Sequence, residues 1–302
     1  MRISSAALCA PSAFICVFIA FLPASSAAAA ISLTDDLGRK VELHAPAQRI
    51  VSLAPSLTEL VYTAGAGDRL VAASEYSDYP PEARKLPRVS AAGTVSLEPV
   101  AALRPDLVLA WEDGTRPEDI ERLAALGIPV YVAHARTLDD VPRLLVAIGT
   151  LVGTDPRAAA RAYSRKLDAL RRQYAARTPV TVLLEVWHSP LTTIAGRHFM
   201  NEALATCGAR NVFADLPGVA PIVSWEEVFR RDPDAIVGIG SAPNEAELRA
   251  LWDERSVLRA VKQGHLVFAD ADRLQRLSAR TPEGVAALCA AIDRVRSAAP
   301  RR

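Results

Sequence analysis

Charge of one sign is what this sequence most plainly lacks: its 302 residues carry 35 Lys and Arg against 34 Asp and Glu. Without a basic excess there is no electrostatic footprint for nucleic acid or an anionic membrane surface. Reaction motifs are equally sparse. There is no HExxH, no GxSxG, no P-loop and no GxGxxG after a strand, so peptidase, hydrolase and nucleotide-binding readings have nothing to rest on. Five histidines, His44, His134, His188, His198 and His265, are scattered without metal-ligand spacing, and no His-rich loop collects them. Each reads first as a surface or satisfied histidine; His134 and His188 stand apart because both follow expected strands. Cysteine is scarce as well, limited to Cys9, Cys16, Cys207 and Cys289.

What is present starts with a leader unlike the rest. Arg2, an almost wholly apolar run from Ala6 to Leu22 and the small residues Ser25 to Ala30 predict a secretory signal peptide over residues 1–30. A membrane anchor is the alternative, but a run interrupted by Pro11 and closed by Pro23 is short for a span, and no later segment is long and apolar enough to serve. Removing the leader leaves equal numbers of acids and bases and only Cys207 and Cys289. In an oxidising compartment these form one disulfide, or else remain two buried thiols.

Half of the residues are hydrophobic, enough for two domains with proper cores. Apolar runs at Arg49 to Leu53, Leu70 to Glu75, Asp106 to Trp111, Pro129 to Ala133, Val180 to Trp187, Ala235 to Ile239 and Leu266 to Ala269 alternate with amphipathic segments. That alternation predicts an α/β fold with parallel sheets. The segment SLEPVAALRPDLVLA, Ser96 to Ala110, returns 128 residues later as SWEEVFRRDPDAIVG, Ser224 to Gly238. In both, a Ser opens a short helix with acids in its first turn, and a Pro-Asp turn launches an apolar strand. Two lobes of similar plan are expected, with chance convergence of short units as the alternative.

Between them, Asp155 to Arg177 holds no internal Gly or Pro and carries a stripe of Tyr163, Leu167, Leu170 and Tyr174 on one helical face. A continuous helix is a stiff connector, unlike a Gly- or Ser-rich linker. The expected organisation is therefore a leader over 1–30, an N-terminal Rossmann-like lobe over 31–153, a rigid interlobe helix over 154–179 and a C-terminal lobe over 180–302, with a ligand cleft between the lobes. An ordinary crossover helix inside one large domain is the competing reading. Ligands of such sheets bind outside the carboxyl ends of the strands. Those ends carry Pro55 and Ser56, Tyr76, Trp111, His134, Trp187 and His188, Ser241, and the Asp270 to Arg273 loop. Aromatic residues there suit a large flat ligand with an apolar body.

The stretch RIVSLAPSLTELVYTAGAGDRLVAASEYSDYPPEA (49–83), with LATCGARNVFAD (204–215), VSWEEVFRRDPDAIV (223–237) and TPEGVAALCAAI (281–292), resembles the cobalamin receptors of Gram-negative ABC importers, within the class III periplasmic binding proteins. The resemblance spans nearly all of 48–298 and implies two α/β lobes joined by one rigid helix, with ligand held between them. It implies a periplasmic address, a corrinoid ligand without a further cofactor, and delivery to a dimeric inner-membrane ABC permease by a monomeric receptor. By the same resemblance, Glu98 and Glu226 dock against permease arginines, Cys207 and Cys289 form a disulfide, and Tyr76 and Trp111 face the ligand. Two family pocket tryptophans are replaced by Ala92 and Ala220, the one near Asp270 to Arg273 is missing, and Trp187 sits one place beyond a family aromatic.

Pro55, Ser56, Tyr76, Trp111, Trp187, His188, Asp270 and Arg273 are thus the expected ligand contacts, with His188 as a remote candidate for an axial metal ligand. The alternatives are a haem or ferric-siderophore receptor and a secreted enzyme. Haem would favour an axial His134, His188 or Tyr76, and a siderophore needs convergent arginines, for which no cluster at the cleft is expected. An enzyme would use Asp270, Asp272 or Glu185 as acid-base groups, but these lack a visible nucleophile or metal partner.

Overall fold

Apolar runs without polar alternation are strands covered on both faces, and this chain carries them in two sets. The computed structural model describes residues 30–91, 93–240 and 242–298; the expected leader with Cys9 and Cys16, and the positions Ala92 and Ser241, lie outside the described residues. The first set runs β1 (Ile31–Thr34), β2 (Lys40–Leu43), β3 (Ile50–Ser52), α1 (Pro55–Thr63), β4 (Leu70–Ser74), β5 (Arg88–Ala91), β6 (Thr94–Val95), α2 (Leu97–Ala102), β7 (Leu107–Trp111), α3 (Pro117–Ala125), β8 (Val130–Ala133) and α4 (Asp140–Val152). Helix α5 (Arg157–Tyr174) follows. The second set is β9 (Val180–Trp187), β10 (Thr192–Thr193), α6 (Phe199–Thr206), β11 (Ala209–Asn211), α7 (Trp225–Arg231), β12 (Ala235–Ile239), α8 (Glu245–Trp252), α9 (Arg259–Lys262), β13 (Leu266–Ala269), α10 (Ala271–Leu274) and α11 (Thr281–Ala298).

The first sheet has the order β6-β5-β4-β3-β7-β8 and is parallel except where β6 turns back on β5. In the second, β12 and then β13 lie on one side of β9, while β11 and the antiparallel β10 share its other edge. Each sheet thus grows in both directions from its first long-range strand, β3 or β9. The crevice at such a switch point is where open α/β sheets receive ligands.

The sheets enclose a common helix layer. Leu57, Leu60 and Val61 of α1, Leu144 and Ile148 of α4, Tyr163 and Leu167 of α5, Met200 and Leu204 of α6, and Leu288 and Ile292 of α11 belong to one continuous core that reaches both sheets. Separate cores back the outer faces, under α2 and α3 in the first lobe and under α7 to α9 in the second. The lobes are therefore outer halves fused on a shared centre. Parting them would expose several of these side chains, each worth roughly 1.5–3 kcal/mol of burial.

Helix α5 is shorter than the sequence suggested, 18 residues or about 27 Å. At its start the Asp155 carboxylate accepts from Arg157 N (3.1 Å) and pairs with its guanidinium (2.7 Å), so the helix begins two residues later. At its end Arg177 N donates to Tyr174 O (3.1 Å), tightening the chain before Thr178-Pro179, where the pre-proline position disfavours helix. Its Tyr163 hydroxyl donates to Leu138 O (2.8 Å), and its Arg171 guanidinium reaches Asp139 (2.9 Å) in the first lobe and Glu202 (2.7 Å) in the second. Glu202 also accepts from Leu138 N (2.9 Å).

A second clasp joins α1 to the segment just before α11. Glu59 on α1, 3% exposed, accepts from the Ser278 hydroxyl (2.6 Å) and from Arg280 Nε (2.9 Å) and Nη2 (2.5 Å). The Glu59 carboxylate holds the Arg280 guanidinium above its usual range, and Arg280 stacks on the Tyr79 ring at 3.8 Å. A buried charge so fully bonded specifies one geometry, because moving either lobe strands it.

The repeated segment recurs in three dimensions. Asp106 accepts from Gln48 N (2.8 Å) and Arg49 N (2.9 Å) at the head of β3, and Asp234 accepts from Thr181 N (2.9 Å) and its hydroxyl (2.6 Å) at the head of β9. Arg104 (φ 46°) and Asp232 (φ 37°), at equivalent places, both turn the chain through the left-handed region. In each lobe the Pro-Asp turn therefore ties its strand to the sheet's founding strand.

Cys207 and Cys289 are disulfide-bonded, with Cα atoms 4.6 Å apart, joining the end of α6 to α11 across a sequence separation of 82. Among the described residues no helix is long and apolar enough to cross a membrane. On chain-entropy grounds the bridge contributes about 4–5 kcal/mol. A Cys207→Ala/Cys289→Ala variant should lose up to that amount in urea unfolding at neutral pH; an unchanged midpoint would contradict a stabilising role.

Candidate functional site

The carboxyl ends of the two sheets face each other above the shared helix layer and enclose a cavity of about 1000 Å³. That is the upper end of the usual range for small-molecule sites, so it suits a large ligand. The exits of β3, β4, β5, β7 and β8 form one wall. The other comprises Val186 of β9, the segment Ile194 to Met200 leading into α6, Val219, and Gln275, Arg276 and Leu277 beyond α10.

Pro55 and Ser56 stand at the β3 exit and line the cavity, with Pro55 at the first position of α1, where its missing N–H costs nothing. Tyr76 is placed by strain and by hydroxyls. It takes φ 60°, a left-handed conformation costing on the order of 1–3 kcal/mol for a bulky residue. Beneath it Thr58 Oγ1 donates to Ser52 Oγ (2.9 Å) and lies 3.1 Å from Ser77 Oγ, which lies 3.1 Å from Ser74 Oγ. All four are buried, so the network fixes the turn, and the Tyr76 ring is left 69% exposed at the cavity wall.

Trp111 ends β7 with its backbone N–H donating to Thr115 Oγ1 (3.3 Å), and its ring lies 6.3 Å from that of His134. His134 follows β8. Its N–H donates to Asp36 (2.6 Å), its carbonyl accepts from Arg143 (2.9 Å), and its Nδ1 contacts Glu112. The β1–β2 hairpin thereby braces this exit. Opposite, His198 Nδ1 accepts from Met200 N (3.2 Å) and caps α6, so its neutral form carries the proton on Nε2. Burial lowers the His198 pKa below the usual imidazole value, opposed by Asp113.

Four expected contacts lie elsewhere. Trp187 follows Val186 on β9, and successive strand residues face opposite ways. Val186 lines the cavity, while Trp187 is 57% exposed with its indole N–H donating to Ser189 O (2.8 Å). His188 turns outward against Trp225 and Trp252, its Nδ1 2.7 Å from Glu185 Oε1. Glu185 is fully buried and also accepts from Trp252 Nε1 (2.8 Å), which gives this carboxylate a packing role. Asp270 caps the short helix α10 and pairs with Arg273 (3.2 Å), and Arg273 packs against Gly284 of α11. That unforeseen helix passes the cavity position on to Gln275, Arg276 and Leu277. Asp272 pairs with Arg276 (2.9 Å), and exposed Ala220 lies beyond the wall, which Val219 reaches.

Sequence reading also missed a group of bases. Arg136, Arg197 and Arg276 all line the cavity, one from the first lobe and two from the second. The expectation of no arginine cluster at the cleft is therefore corrected. All three stand in loops between elements, where periodicity carries no information; only their closeness to strand and helix ends hinted at this place.

Glu98 and Glu226 sit in the first turns of α2 and α7, exposed and without an ion-pair partner among the described residues. The Glu226 backbone N–H and the Ser224 hydroxyl lower the pKa of Glu226. Neighbouring Glu227 is instead bound to Arg230 and Arg231, which hold it down to about 2.

A periplasmic binding protein family model matches residues 50–273. The vitamin B12-binding protein of Vibrio cholerae serotype O1 (strain O395) is 36% identical over 246 residues, covering 81% of this chain and 88% of that protein. The crystal structure of the periplasmic vitamin B12 binding protein BtuF of Vibrio cholerae superposes with a TM-score of 0.76 at 34% identity, over 83% of this chain and 98% of that one. A periplasmic haem binding protein from Pseudomonas aeruginosa gives 0.73 at 30% identity, over 81% and 92%. The chain belongs to the periplasmic binding protein family.

Proposed function

We propose that the protein is a periplasmic receptor that captures cobalamin or a related corrinoid and hands it to an ABC importer, without covalent chemistry. The carrying observation is the cavity itself, about 1000 Å³ held open between two lobes that share one core and lined by Tyr76, Trp111 and Phe199. Rings supply contact area at small entropic cost, and a fixed cleft spares the ligand most of the cost of ordering its site. Relatives named vitamin B12-binding proteins support the choice of ligand.

Exposed Glu98 and Glu226, one at the same place in each lobe, support docking onto a permease of two like subunits, since a two-lobed receptor on a dimer requires one similar contact per lobe. A haem or ferric-siderophore ligand is the second reading, favoured by Arg136, Arg197 and Arg276 at the wall.

Titrating the mature protein with cyanocobalamin, cobinamide, haemin and a ferric siderophore while following tryptophan fluorescence distinguishes these readings. Saturable quenching by the corrinoids is expected, reduced in Trp111→Phe; a response to haemin alone would transfer the function to the second reading. Glu98→Arg/Glu226→Arg should bind ligand as the parent does but fail to support uptake through the cognate permease. Normal uptake by that variant would remove the docking role.

A further inference from the structure

The cavity contains more positive charge than an uncharged macrocycle calls for, and its three arginines are not equivalent. Arg276 is neutralised by Asp272 (2.9 Å) and by Glu59 (3.8 Å). Arg136 donates from Nε to His134 Nε2 (3.3 Å), and its terminal nitrogens have no carboxylate partner among the described residues. Arg197 has neither a side-chain hydrogen bond nor an ion pair among the described residues, although many other arginines of the chain are tied to an acid or a carbonyl.

These two side chains come from different lobes but from loops that are fastened together. Arg136 follows β8, two residues before Leu138, and Arg197 precedes α6; Leu138 N donates to Glu202 of α6 (2.9 Å), and Arg171 bridges Asp139 and Glu202. The clasp draws both loops to one end of the cavity. His198 beside Arg197 is left with a donor N–H on Nε2 by its capping bond. The two acids that line the cavity are Glu75 and Asp113. Glu75 leaves β4, three strand positions from β8, or about 14 Å at the usual spacing. Asp113 stands on the adjacent exit, 3.5 Å from His134 Nε2.

We propose that Arg136 and Arg197 form an anion subsite that receives an oxyanionic group of the ligand. This rests on the reading of the cavity as a macrocycle site. Guanidinium groups suit this task because their paired N–H donors match a phosphate or carboxylate edge. Two ligand sources share the chemistry: the phosphodiester in the nucleotide loop of a complete cobalamin, and the propionate carboxylates of a haem. The subsite would select the complete cofactor over cobinamide, which lacks the phosphodiester.

The test compares two ligand pairs on the full mature protein, cyanocobalamin with cobinamide and haemin with its dimethyl ester, in the parent and in Arg136→Gln/Arg197→Gln. Both arginines are exposed, so the variant should retain its fold, which its circular dichroism and melting temperature check. The parent should prefer the anionic member of a pair by about tenfold to a hundredfold, the range of a charge-assisted hydrogen bond. The variant should lose that preference while binding the member without the anion within about twofold of the parent, and Arg136→Lys/Arg197→Lys should recover part of it. Preference within the corrinoid pair that Arg136→Gln/Arg197→Gln abolishes identifies a phosphodiester. Preference within the haem pair alone identifies a carboxylate and sinks the corrinoid reading without sinking the subsite. An absence of preference in both pairs, or an equal loss for both members in the variant, overturns the subsite.

Discussion

One buried apolar layer, which neither sheet can complete alone, governs this molecule. Helices α1, α4, α5, α6 and α11 pack into a single core between the sheets, so the lobes are not beads on a linker. Two polar clasps fix their angle, Glu59 with Ser278 and Arg280, and Glu202 with Leu138 and Arg171. Removing a partner from Glu59, the buried and fully bonded charge of the two clasps, costs several kcal/mol, and tilting the lobes amounts to the same removal.

The cleft is a consequence of this constraint. Because the helix layer holds the sheets apart, their carboxyl ends cannot meet, and the strand exits face one another across an open space. The chain invests locally to present its contacts there. Tyr76 is held in a left-handed turn by four buried hydroxyl-bearing residues, and His134 is braced by the β1–β2 hairpin through Asp36. A receptor of this kind has its binding geometry set by folding, so affinity comes from surface already in place.

Much of the fold was legible in the sequence. All seven apolar runs are strands, because a double-sided buried strand leaves an unambiguous run. The 128-residue echo recurs at the Pro-Asp turns, whose carboxylates cap neighbouring strands, but not at the helix starts, where the Ser224 hydroxyl caps α7 and Ser96 makes no side-chain cap on α2. What escaped notice was short or polar: β1, β2, β5, β6, β10 and β11, each four residues or fewer. The site was partly readable. Positions directly at strand ends, Pro55, Ser56, Tyr76 and Trp111, line the cavity. Trp187 and His188 do not, since strand parity turns the first away and the attraction of Glu185 and two tryptophans takes the second. Asp270 and Arg273 were displaced by a four-residue helix with no periodic signature. The arginines went unseen because a loop side chain's destination depends on tertiary contacts that no local pattern encodes.

A fixed separation of the lobes is the central claim, and the distance between them tests it most directly. Spin labels at Glu98→Cys and Glu226→Cys, one exposed site per lobe, would report it by pulsed electron resonance on the protein without residues 1–30, in which Cys207 and Cys289 are joined to each other. The account predicts one narrow distance distribution that moves by less than about 2 Å when cyanocobalamin is added, as for a pre-organised binding site. Two resolved populations in the free protein, or a shift of about 10 Å of the kind hinge closure produces, would contradict it.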